Sequence, residues 1–225
     1  PYLPTRHAVA NDTLVTNEHT LFRNLKLNSS KRELLQELEL LVIDEVSMMR
    51  ADTLDAVDAI LRHVRRQLLI PFGGVQVLYI GDLFQLPPVV SNTEWEILRS
   101  VYKSPFFFDA LALQEKPPVY LELKKIYRQN EAVFIQILNN IRNNNVHAGD
   151  LEHLHQYYKP GFEPPKDENY IVLTTHNARA DQNNRQELDK LPGKCSTFEG
   201  ELTGDFNDKA LPAERTMKLK PGAQI

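Results

Sequence analysis

Four apolar residues, Leu40-Leu41-Val42-Ile43, run directly into two carboxylates, Asp44 and Glu45. An apolar run of that length bounded by charge fits a strand buried on both faces, as in a parallel sheet. Both acids then stand at its carboxyl end, the edge where open α/β sheets bind ligands. The first could hold Mg²⁺ through its water shell. The second could orient or deprotonate the water that attacks a γ-phosphate. The plain alternative is an acidic strand end that simply meets solvent.

A second phrase, Gly81-Asp82-Leu83-Phe84-Gln85-Leu86-Pro87-Pro88, comes after another apolar run. Gly81 permits a sharp turn, and the two prolines stiffen the loop after Gln85. Gln85 is uncharged and both donates and accepts, so it could sense a phosphate or position a water. Alone it would read as an ordinary surface turn. Tyr127-Arg128-Gln129 is the third element, placed between a strand and a helix. A guanidinium reaching across a cleft there could stabilise transition-state charge; a salt bridge to nearby acids is the equal alternative.

The elements that must position these residues alternate. Lys31–Leu38 is a short helix candidate ahead of the first strand. Leu54, Val57, Leu61 and Val64 recur at helical spacing, with Arg62, Arg65 and Arg66 near the end of that helix. Pro71-Phe72-Gly73-Gly74 breaks the pattern before a second strand, 75–80, so strand, helix and strand form a βαβ crossover. Further strands are expected at 119–123 and 170–173. Helices are expected around Phe134, Leu138 and Ile141, over 147–158 and over 178–191, with a β-rich stretch from about Ser196. Residues 1–30, including Asn11 and Asp12, read as a loop or linker with little structure of its own. The fold class is α/β, cut into two half-domains near Lys116-Pro117-Pro118.

Composition bounds what this frame does. The 225 residues carry 26 Lys+Arg against 30 Asp+Glu, with 42% hydrophobic and 25% charged residues. That places the chain in the globular class and excludes collagen, coiled coil and disorder. The net charge of −4 gives no global attraction to nucleic acid, although a local basic groove would survive it. The single Cys195 cannot form an internal disulfide. No run of about 18 apolar residues spans a membrane. The first residues carry neither an initiator Met nor a signal-peptide core, and the last stop after a strand-like phrase, so a piece of a longer protein is expected.

Taken in order, Leu41-Val42-Ile43-Asp44-Glu45-Val46-Ser47-Met48, Pro71-Phe72-Gly73-Gly74-Val75-Gln76, Gly81-Asp82-Leu83-Phe84-Gln85-Leu86-Pro87-Pro88-Val89 and Tyr127-Arg128-Gln129 resemble the Pif-type branch of the superfamily 1 DNA helicases, close to the RecD-like enzymes. Phe134, Leu138-Asn139-Asn140-Ile141-Arg142 and Leu173-Thr174-Thr175-His176-Asn177 extend the match. The resemblance implies RecA-like parallel sheets in two incomplete lobes: residues 1–116 in the first, 117–195 opening the second, and 196–225 beginning an SH3-like insertion. It implies that Asp44 and Glu45 are Walker B acids, for Mg²⁺ and for water activation. Gln85 would be the glutamine linking the γ-phosphate to DNA, Arg128 an arginine finger, and His176 and Asn177 contacts to the DNA backbone. ATP and Mg²⁺ would be the cofactors, and single-stranded, forked or duplex DNA the partner. A cytoplasmic bacterial monomer would move on single-stranded DNA, 5′ to 3′, and separate duplexes in repair, recombination or telomere maintenance.

One departure is large. A P-loop needs G-x-x-x-x-G-K-[ST], and the only Gly-Lys pair, Gly193-Lys194, is followed by Cys195 and has Leu188 where the first glycine would fall. By itself this chain is expected neither to hydrolyse ATP nor to unwind DNA. A RecA-like module that binds nucleic acid or a partner without hydrolysis is the alternative from another class, and a RecD-like exonuclease subunit is a nearer rival. Other signals carry less. His147, His153 and His155 lack H-x-x-x-H spacing or a nearby Cys for zinc. Phe106-Phe107-Phe108 reads as packing between elements before base stacking. Lys124, Lys125 and Arg128 form a small basic stretch, solvated by default. Ser47 has no His-Asp relay, and adjacent Asp44 and Glu45 are not a glycosidase pair.

Overall fold

The computed structural model describes residues 1–4, 15–163, 165, 170–202, 211 and 214–224. Its helices and strands run α1 (Glu18–Asn24), α2 (Ser29–Glu37), β1 (Leu40–Ile43), α3 (Ala51–Arg65), β2 (Gln76–Tyr79), α4 (Asn92–Leu98), α5 (Leu111–Glu115), α6 (Ala132–Arg142), α7 (Ala148–His155), α8 (Asn177–Lys190), β3 (Ser196–Glu199) and β4 (Thr216–Leu219). They form two compact units, Pro1–Leu151 and Glu152–Ile225. No helix among the described residues is long and apolar enough to cross a membrane.

The first unit is built on the βαβ crossover. β1 and β2 pair in parallel from Leu40↔Gln76 to Ile43↔Tyr79. The connection is α3, whose apolar stripe of Ala51, Leu54, Leu61 and Val64 is buried. Leu41, Ile43, Val77 and Tyr79 pack toward the core around Leu54, Leu98, Tyr102 and Phe107. The opposite face does not match the expectation of burial on both sides: Leu40 is 46%, Val42 49%, Leu78 46% and Ile80 45% exposed. An apolar run offers two faces, but in this unit the core lies on only one of them.

Three aspartates sit on the inward side of α3, where the helical pattern alone would ask for apolar groups. Asp55 accepts from the Tyr102 hydroxyl at 2.8 Å and from the backbone amides of Leu111 and Ala112 at 3.0 and 2.9 Å. Asp58 accepts from the Phe72 amide and from Arg62 Nε at 2.7 Å. Asp52 accepts from the Tyr2 amide at 2.9 Å and from Arg50. Each carboxylate therefore satisfies backbone groups of a distant segment, which a buried amide requires. Burial pushes the Asp55 carboxyl up, against its three donors, and burial beside Asp55 pushes Tyr102 up as well. Asp55→Ala leaves two amides and a phenol without an acceptor, so we expect a loss of about 3 kcal/mol, read as a lower urea midpoint.

Arg65 works away from its own helix. Its Nε donates to the Gly73 carbonyl at 2.7 Å and its Nη1 to the carbonyls of Leu35 and Leu38 at 3.2 and 2.9 Å, closing the end of α2. Gly73 itself has φ +58, and an added Cβ would stand 2.7 Å from the Leu61 carbonyl oxygen, so this turn needs glycine. Arg50 joins Asp52 to Glu94, 2.7 Å from each. The Arg50 hydrogen bond, with those from Ser91, holds Glu94 down at about 2. A depressed carboxylate adds stability above its ordinary titration range and loses it as pH falls toward the folded value. Glu94→Gln should therefore unfold with a flatter acid dependence between about pH 4.5 and 2 in a circular-dichroism titration.

Several expectations are corrected here. Residues 1–4 and 15–30 are not mere linker: Tyr2 and Leu3 are buried, Tyr2 bridges Thr16 in parallel, and α1 starts from a reciprocal Asn17–Thr20 cap. Asn11 and Asp12 lie outside the described residues. Residues 119–123 and 170–173 do not form strands, since neither pairs with a strand among the described residues; Val119, Leu123 and Leu173 are almost fully exposed. The helix expected over 178–191 forms as α8, and the β-rich stretch forms an antiparallel pair from Ser196↔Leu219 to Glu199↔Thr216. Lys220 Nζ donates to the carbonyls of Asp189 and Leu191 at the end of α8, fastening that pair to the helix.

Candidate nucleotide site at the strand ends

The parallel register continues beyond the strands: Ile80 donates to the Ile43 carbonyl at 2.9 Å and Val46 to the Ile80 carbonyl at 3.0 Å. Both chain segments thus leave the sheet side by side at their carboxyl ends. Gly81 makes this approach possible, since a Cβ there would meet the Val46 amide nitrogen at 3.0 Å and its Cγ1 at 3.1 Å. Asp44-Glu45 on one exit and the turn carrying Gln85 on the other are brought to one edge.

Glu45 has φ 51 and ψ 40, left-handed for a residue with a side chain. Such a conformation costs on the order of 1 kcal/mol or more. Its amide donates to Asp44 Oδ1 at 2.9 Å, and its carbonyl accepts from Met48 at 3.1 Å. Both acidic side chains are exposed. These hard oxygen donors fit Mg²⁺, which takes one or two carboxylates and completes its shell with water and phosphate oxygens. Among the described residues no three His, Cys, Asp or Glu side chains converge into an all-protein cage. Ser47, just beyond, is buried with its hydroxyl unpaired among the described residues, so it is closed to a substrate as nucleophile.

Asp82 organises the second exit. Its carbonyl accepts from the Gln85 amide at 3.0 Å, Oδ1 from the Phe84 amide at 3.1 Å, and Oδ2 lies 3.5 Å from Gln85 Nε2. From α6, Arg142 Nη1 reaches Asp82 Oδ2 at 3.1 Å and its guanidinium covers the Phe84 ring at 5.0 Å. Sequence reasoning does not single out Asp82 and Arg142 as site residues. Their signal is faint, a charge of each sign next to the expected turn and at the end of a helix.

Arg128 is exposed in the extended segment before α6 and makes no hydrogen bond or ion pair to Asp44, Glu45 or Gln85 among the described residues. Lys125 of the same segment lies 4.7 Å over the Tyr127 ring. His176 and Asn177 belong to the second unit, at the start of α8; Thr175 Oγ1 lies 2.8 Å from His176 Nδ1. The structure thus sets Asp44-Glu45 and the turn carrying Gln85 beyond the paired ends of two adjacent parallel strands. Phe107 is buried while Phe106 and Phe108 stack at 5.3 Å, an arrangement of packing.

Against known proteins, residues 4–152 match the family model described as PIF1-like helicase. The chain belongs to the PIF1-like helicase family. It is 33% identical over 195 residues to the human ATP-dependent DNA helicase PIF1, covering 82% of this chain and 28% of that one. To the Pif1 helicase of a Psychrobacter species it is 32% identical, covering 90% and 31%. A crystal structure of Bacteroides Pif1 helicase in complex with ADP-AlF3 and ssDNA superposes with a TM-score of 0.74 at 36% identity, over 92% of this chain and half of that one. The chain therefore spans under a third of those curated relatives, and half of that solved one. The RecA-like α/β fold class expected from the sequence is that of these helicase structures.

Proposed function

We propose that this chain is the part of an ATP-dependent DNA helicase that supplies the strand-end acids, the phosphate-facing glutamine and the arginine finger. The observation that carries the reading is the parallel pairing of β1 and β2, which sets Asp44-Glu45 and the Gln85 turn at one sheet edge. Asp44 would hold Mg²⁺, and the ion would neutralise phosphate charge when bound. Glu45 would accept a proton from the attacking water, and Gln85 would register the γ-phosphate. Arg128 would approach the same phosphate from the second lobe.

Residues 1–116 are assigned to the first lobe, 117–195 to the opening of the second and 196–225 to the start of an SH3-like insertion. His176 and Asn177 would touch the DNA backbone. The sequence holds no G-x-x-x-x-G-K-[ST], so these 225 residues alone should not turn over ATP. The acting molecule would be a cytoplasmic monomer moving 5′ to 3′, as resemblance to bacterial members implies. The Bacteroides Pif1 structures bound to ssDNA, one of them also holding ADP-AlF3, support DNA and nucleotide as ligands.

The test is strand separation. The full-length protein carrying this chain, given a forked duplex and ATP, should release the displaced strand, and a non-hydrolysable analogue should not support it. Binding of single-stranded DNA without ATP-dependent release would favour the non-hydrolysing module instead.

A further inference from the structure

Arg142 grips the glutamine turn from outside it. The turn is closed by Asp82, whose Oδ2 both approaches Gln85 Nε2 at 3.5 Å and receives Arg142 Nη1 at 3.1 Å. The same guanidinium lies 5.0 Å from the centre of the Phe84 ring. One side chain therefore holds the residue that opens the turn and the residue next to Gln85. An exposed ion pair and an exposed cation–π contact contribute little stability, so the value of the clamp lies in placement and charge.

The charge is the sharper consequence. Asp82 is a carboxylate within reach of the side chain that would face a polyphosphate. Left bare, it would repel that ligand across a few ångströms. Arg142, the last residue of α6, cancels it. The helix itself begins at Ala132, shortly after Arg128, so the clamp also links the turn to the segment that carries the candidate finger.

We propose that Arg142 is a positioning residue for nucleotide turnover, neutralising Asp82 and clamping Phe84 so that Gln85 meets the phosphate without a competing negative charge. This rests on the proposed role of Gln85 at the γ-phosphate. The bland alternative is a cation placed near the end of α6 for the helix dipole alone, which would leave nucleotide affinity untouched.

The experiment compares equilibrium ATP affinity and DNA-stimulated turnover of the full-length protein with those of Arg142→Ala, Asp82→Asn and the double variant, with thermal unfolding measured beside them. Arg142→Ala should weaken ATP binding about tenfold and lower kcat, with little change in the unfolding temperature. Adding Asp82→Asn should return the affinity to within about threefold of the parent, because the unpaired charge is gone, while kcat stays low for want of the clamp. Unchanged affinity in Arg142→Ala, or no recovery in the double variant, would overturn the proposal while the unmodified protein still hydrolyses ATP. An unmodified protein that binds DNA but not ATP would sink the helicase reading, and this inference with it.

Discussion

In the full-length protein, Glu45→Gln should lower the rate of ATP hydrolysis about 10²–10⁴-fold while nucleotide and DNA binding survive. The substitution keeps size and removes only the proton acceptor. Glu45 is exposed at a strand exit and its main-chain bonds go to Asp44 and Met48, so the fold has little to lose. Its left-handed backbone holds the side chain at the end of β1 instead of letting the strand run on. Single-turnover hydrolysis beside anisotropy with labelled single-stranded DNA separates the two effects. Turnover retained within about tenfold would move the water-activating role to another residue.

Arg128→Ala carries the second large expectation, a fall in kcat of about 10³-fold or more. Arg128 is exposed, at a bend before α6, so its loss should cost the fold little. Lysine should not restore the rate, since a point charge does not reproduce the planar fork that meets phosphate oxygens. The check is steady-state turnover with saturating single-stranded DNA, with nucleotide affinity measured separately. If Arg128→Lys equals the parent, the finger assignment fails.

The crossover was legible because its signals are local and periodic. The run Leu40–Ile43 and the stripe of Leu54, Leu61 and Val64 read as a strand and an amphipathic helix, and the length between the two strands suits a parallel crossover. The covering of the sheet was not legible, since burial of Leu40, Val42, Leu78 and Ile80 depends on what lies over them. Residues 119–123 and 170–173 have strand-like composition but find no pairing partner among the described residues, and pairing is a non-local property. The buried aspartates of α3 were hidden for the opposite reason: their role is to accept from Tyr2, Phe72, Leu111 and Ala112, segments that meet α3 only in the folded chain.

At the candidate site the two acids and Gln85 could be read from the ends of apolar runs. Arg142 could not, because its meaning comes from an ion pair to Asp82 made across the fold.

The most direct test of the central claim is ATP hydrolysis by the full-length protein with and without single-stranded DNA. A DNA-coupled motor predicts turnover that rises many-fold when DNA is added and falls back as salt releases it. Turnover that stays flat, or absent, while the DNA is demonstrably bound would contradict the account and leave a RecA-like binding module.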